Sequence, residues 1–142
     1  MTQHSVNPGR FNLASVHLVV GTVGLVLFIL QGQYMSHVLH VFELQDGPRL
    51  MYRTGHIYLL LTSALNVCLG VYLPRSSGKL QVLASVLLLV APLMLIYSFF
   101  AESTSAQLHR PVTVYALYIV FAAAVALLLA KLFETVKGPK GN

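Results

Sequence analysis

Six histidines mark a chain of 142 residues that otherwise carries few reactive side chains. His37, His40, His56 and His109 border long apolar stretches and gather on one side of the topology derived below, with Glu43, Asp46 and Glu102. His37 and His40 are three apart, a spacing that puts both on one face of a helix, and Glu43 follows at the same interval. Neutral imidazoles with a carboxylate oxygen suit zinc or copper, so these three are the candidate metal ligands. A second reading gives His56 as one axial ligand of a haem b, with His37, His40 or His109 as the other. One such haem is the most this chain can hold, because His17, on the opposite side, has no second histidine to pair with. The third and expected reading needs no cofactor. Histidine at a membrane interface bonds headgroups, water and helix-end backbone.

Two further polar groups fall inside apolar runs. Asn66 is the most polar residue deep in its stretch, and an unpaired amide is costly in lipid, so it is expected to bond across helices. His17, near the start of the first helix, is a second structural polar residue and is expected to face the interior. Arg49 and Arg53, four apart near a span end, are candidate contacts for lipid phosphate or for Glu43 and Asp46. His4 lies in the N-terminal tail. Cys68 is the single cysteine, which excludes an intramolecular disulfide and paired-thiol redox chemistry.

No catalytic residue is assigned, and an enzyme is not expected. The apolar runs contain no Asp, Glu, Lys or Arg, the groups that cation-coupled transport usually relies on. Ser63, Ser85 and Ser98 have no neighbouring base in sequence. Nucleophile-elbow, zinc-protease and phosphate-loop motifs do not occur.

The elements that position these residues follow from composition. Hydrophobic residues make up 56% and charged residues 9%, against about 25% charged in soluble domains. Mean hydropathy is +0.74. A soluble protein this short cannot hide that much apolar surface. Residues 11–42, 54–74, 80–101 and 111–130 lack Asp, Glu, Lys and Arg altogether, in runs of 32, 21, 22 and 20 residues. A spanning helix needs about 20. Continuous apolar runs, rather than alternating ones, exclude a barrel. The expectation is an all-α, single-domain integral membrane protein over 1–142, a four-transmembrane-helix bundle with spans near 13–38, 56–74, 80–101 and 111–132. Thr54 is expected to cap the second helix, Asp46-Gly47-Pro48 to form a turn, Ser76-Ser77-Gly78 a loop, Pro92 to kink the third helix, and Pro111 to open the fourth. Arg10 before the first run imitates a signal peptide, but no small-residue cleavage pattern follows Leu30.

One face of the membrane, the tail face, holds both chain ends and the second loop, with Arg10, Arg75, Lys79, Lys131, Lys137 and Lys140. The loop face holds the first and third loops, with Arg49, Arg53 and Arg110. Six bases against three put the tail face in the cytoplasm, giving an N-in, C-in protein of the inner, or plasma, membrane with tails 1–10 and 134–142 inside. Because the bases are scattered beside apolar spans, the net charge of +5 reports topology and not nucleic-acid binding. Interior stripes are expected from His17, Gly21, Gly24, Gln31 and Met35 on the first helix, and His56, Ser63, Asn66 and Gly70 on the second. On the fourth, Tyr115, Tyr118, Ala122, Ala126 and Ala130 form such a stripe. Tyr34, Tyr52, Tyr58, Tyr72 and Tyr97 are expected at the interfaces. The function expected is that of a small structural or accessory subunit, with membrane lipids, other membrane subunits or a second copy as partners. The alternatives are a redox protein holding one haem b or a transition metal, and a lipid- or quinone-binding membrane enzyme with His56 as base.

Overall fold

The computed structural model describes residues 12–73, 78–104 and 109–136. Four helices run through them: α1 (Leu13–His37), α2 (Asp46–Tyr72), α3 (Lys79–Ala101) and α4 (Pro111–Val136). All four are long and apolar enough to cross a membrane. The Ser76-Ser77 part of the second loop and the bases Arg10, Arg75, Lys137 and Lys140 lie outside the described residues.

Each helix end has a local cause. Asn12 caps α1, its side-chain oxygen accepting from the Ala14 N–H at 3.3 Å. α1 stops at His37, and His40 takes a left-handed backbone (φ 45°) that turns the chain into a short 3-10 turn at Val41–Glu43. α2 then begins at Asp46, earlier than the expected cap at Thr54. Asp46-Gly47-Pro48 is its first turn and not a separate loop. A proline in a first turn sacrifices only an N–H that has no helical acceptor, and an acid there complements the helix dipole. Thr54, now inside the helix, bonds back to the Leu50 and Met51 carbonyls at 2.9 and 3.1 Å. Pro111 does open α4. The carboxylate of Glu102 caps it from α3's end, accepting from the Val112 N–H at 2.6 Å and the Thr113 N–H at 3.0 Å.

α1 packs on α2, α2 on α3, and α3 on α4. The α1–α2 contact is tightest toward the tail face. A Cβ on Gly21 would lie 2.6 Å from the Val67 nitrogen, and one on Gly70 2.7 Å from the Leu18 nitrogen, so only glycine lets these backbones touch. Toward the loop face the gap widens. A Cβ on Gly32 would meet the His56 ring at 3.2 Å, with an imidazole between the two backbones.

The buried residues of α1 are the five of its expected stripe, His17, Gly21, Gly24, Gln31 and Met35. On α2, Ser63 and Asn66 are buried, with His56 and Gly70 half-buried. The fourth helix departs from expectation. Thr113, Ala116, Val120 and Ala123 face inward, while Tyr115, Tyr118 and Ala122 are exposed and Ala126 and Ala130 only half-buried. Both faces of α4 are apolar, so hydropathy does not select one. Thr113 does: its hydroxyl meets Glu102 at 2.7 Å and Ser98 at 3.1 Å, which fixes the helix's rotation. Ala116, Val120 and Ala123 follow at one-turn spacing, and Val120 and Ala123 close on Ala84, Leu88 and Ala91 of α3. Tyr52 is also not an interfacial ring. It is buried edge-on against Phe99, centroids 5.2 Å apart.

Candidate functional site

Polar groups occupy the interior at two levels. The level toward the tail face centres on Asn66. Pro92 continues α3 without an N–H, which leaves the Leu88 carbonyl, one turn back, without its helical donor. The Asn66 amide nitrogen supplies it at 3.1 Å, and donates as well to Thr62 of its own helix at 2.8 Å. With the nitrogen so engaged, the Asn66 oxygen must accept, and the His17 Nδ1–H donates to it at 2.6 Å. One side chain thus joins α1, α2 and α3. Asn66 and His17 are both fully buried, and the tight glycine contacts around them make this level a fastening rather than a binding space.

The level toward the loop face is more open. His56, entering from α2, stacks on Phe28 of α1 with ring centroids 4.0 Å apart and planes at 16°. Its Nδ1–H donates to the Gln31 Oε1 at 3.2 Å. Beside this pair, Leu27, Leu30, Gln31, Tyr34, Leu59, Ile96 and Phe100 line an open apolar groove of about 270 Å³ between α1, α2 and α3. Gln31 is 8% exposed. Its amide nitrogen donates to no group among the described residues.

A third constellation closes the loop face. Arg110 donates from Nη1 to Thr54 Oγ1, and its Nε and Nη2 are buried without partners among the described residues. Burial pulls its guanidinium below the ordinary arginine value, while the negative charge of Glu102 and the Tyr58 phenol pull back upward. Arginine remains charged through such shifts. Glu102 is itself buried, at 6% exposure, by its bonds to the start of α4.

The histidines read from the sequence occupy different settings. Of the four on the loop face, His37, His40 and His109 are exposed and His56 turns inward. The shared helical face of His37 and His40 is not formed, because α1 ends at the first and the second sits in the left-handed bend. Glu43 is exposed in the 3-10 turn beyond. Among the described residues no three of His, Cys, Asp and Glu gather into a group that could hold a metal ion. Arg49 pairs with Asp46 one turn away, and Arg53 is exposed. Surface pairs of this kind contribute little. Sequence reasoning placed Gln31 only on an interior stripe and left Phe28 unmentioned. The available signal was that Gln31 and His56 each sit on an inward stripe near the loop face, where two polar groups in lipid should find one another. Compared with protein-family models, curated proteins and solved structures, the chain matches none of them.

Proposed function

We propose that this is a small, non-enzymatic integral membrane protein that binds a lipid-class ligand in the groove between α1, α2 and α3. The observation that carries the reading is that groove: about 270 Å³ of apolar space with one free amide donor in its wall. The fold accounts for its place. Glycine contacts and the Asn66 tie draw the helices together toward the tail face, and the imidazole of His56 spaces α1 from α2 toward the loop face. The excess of bases on the tail side supports an N-in, C-in orientation in the inner membrane, with Arg53 at the outer surface within reach of lipid phosphate. The test is mass spectrometry of the organic extract from protein purified in mild detergent from its own membranes, beside a Leu59→Trp variant that fills the groove. A lipid-soluble compound near one per chain, lost in the variant, is expected. Identical extracts from both proteins contradict the reading.

A second reading, an accessory subunit of a membrane complex, is favoured by α4. It leans chiefly on α3, and Tyr115, Tyr118 and Ala122 face away from the bundle. A photo-crosslinking residue at Tyr118 should then trap one defined membrane protein. Labelling of lipid only counts against a subunit role.

A further inference from the structure

We infer that the ligand of this groove presents a hydrogen-bond-accepting oxygen on a planar ring, as a prenylated quinone does, and that the Gln31 amide nitrogen donates to it. The inference rests on the ligand-binding reading above and specifies its chemistry. Gln31 is more than nine-tenths buried, and its oxygen is committed to the His56 Nδ1–H. His56 is itself held flat by Phe28 and closely approached by Gly32. The amide is therefore fixed in one orientation, and its two N–H bonds are left for the groove, where no other described residue accepts them. The nitrogen is not sealed off like the unpartnered interior atoms of the bundle, and a donor facing an apolar groove is costly until an acceptor arrives. The rest of the wall offers no competing polar contact except Tyr34. Binding by an oxygen-free chain would leave the amide unsatisfied, and a cation would meet the wrong end of it.

Size and depth narrow the occupant. At about 270 Å³ the groove falls just under the ~300 Å³ at which pockets for drug-sized ligands begin, so it takes a ring and not a whole lipid. Tyr34 and Phe100, with centroids 6.2 Å apart, give that ring an aromatic wall. Leu27, Leu30, Leu59 and Ile96 supply the apolar remainder, and the open side lets a prenyl tail run into the bilayer. Gln31 is six residues from the end of α1 at His37, roughly 9 Å along the axis at 1.5 Å per residue. A 25-residue helix is about 37 Å long, so centred on a hydrocarbon core about 30 Å thick it puts Gln31 about 5 Å inside the core edge, shallow enough for the carbonyl of an amphiphile.

The test measures equilibrium binding of two radiolabelled probes to protein in nanodiscs, a benzoquinone bearing one prenyl unit and a branched hydrocarbon of matching size without oxygen. Gln31→Met keeps the side-chain length and removes the donor, and Leu59→Trp fills the groove. Wild type should bind both probes, Leu59→Trp neither, and Gln31→Met should bind the quinone about tenfold more weakly with its hydrocarbon binding unchanged. A second readout guards against a misfolded variant. The carbonyl stretch of bound, isotope-labelled quinone should move to lower frequency in wild type. Equal quinone affinity in wild type and Gln31→Met, or an unshifted carbonyl, overturns the inference and leaves the groove reading standing. Failure of wild type to bind either probe overturns the groove reading itself.

Discussion

Replacing Asn66 with leucine tests how this bundle is fastened. The side chain makes two interhelical hydrogen bonds, from His17 Nδ1 at 2.6 Å and to the Leu88 carbonyl at 3.1 Å. In membranes such bonds average about 0.6 kcal/mol and reach about 1.7 kcal/mol. Losing both should cost roughly 1–3 kcal/mol. The sharper expectation concerns Pro92. The Leu88 carbonyl needs Asn66 only because proline supplies no N–H. In a Pro92→Ala background the alanine N–H takes that carbonyl within the helix, and the Asn66→Leu penalty should shrink by about one bond, ~0.6–1.7 kcal/mol. Wild type, both single variants and the double variant would be unfolded by graded denaturing detergent with helical circular dichroism as the signal. Independent sites add to within about 0.3–0.5 kcal/mol. A coupling below that, with Asn66→Leu equally costly in both backgrounds, refutes the claim that Asn66 serves the carbonyl freed by Pro92.

Other perturbations follow from the same geometry. Gly21→Ala forces a methyl against the backbone of α2 and should cost about 1–3 kcal/mol in the same unfolding assay, whereas Gly32→Ala meets only the His56 ring and should cost less; equal losses would deny that the helices diverge. Glu102→Ala removes the cap of α4 and the partner of the Thr113 hydroxyl, and should lower stability by about 1–3 kcal/mol; an unchanged midpoint would contradict that role. His40→Gly relieves a left-handed backbone and should be neutral or stabilising by up to about 1 kcal/mol, while His40→Val should destabilise; a reversed order would place the chain reversal elsewhere.

The helices were legible because lipid demands long apolar runs, and the inward faces of α1 and α2 because glycine and polar residues on a helix in lipid have few other places to go. Asn66 behaved as an interhelical bonding group for the same reason. Two features were not legible, and a third only in part. The start of α2 was hidden because Asp-Gly-Pro serves equally as a turn and as the first turn of a helix. The rotation of α4 was hidden because tyrosine and alanine are as comfortable against lipid as against α3, and the deciding residue, Thr113, acts through partners on α3. The candidate site was half legible: His56 stood out by type, but its partners Gln31 and Phe28 come from the lateral register of α1 against α2. Spacing along one chain does not encode that register, and the same gap allowed His37 and His40 to look like a helical pair when the helix ends between them.

The central claim, that a ligand occupies the groove beside Gln31, is tested most directly by a tryptophan reporter, since the chain contains no tryptophan of its own. Phe100→Trp places one in the groove wall, and Phe121→Trp places one on the exposed face of α4. Each would be titrated in nanodiscs with the mono-prenyl benzoquinone, which quenches indole fluorescence. A bound ligand predicts saturable quenching at position 100, complete near one ligand per chain, and only a gradual, linear loss at position 121. Linear quenching of equal slope at both positions would mean that the quinone meets this protein only by collision in the bilayer, and would contradict the account.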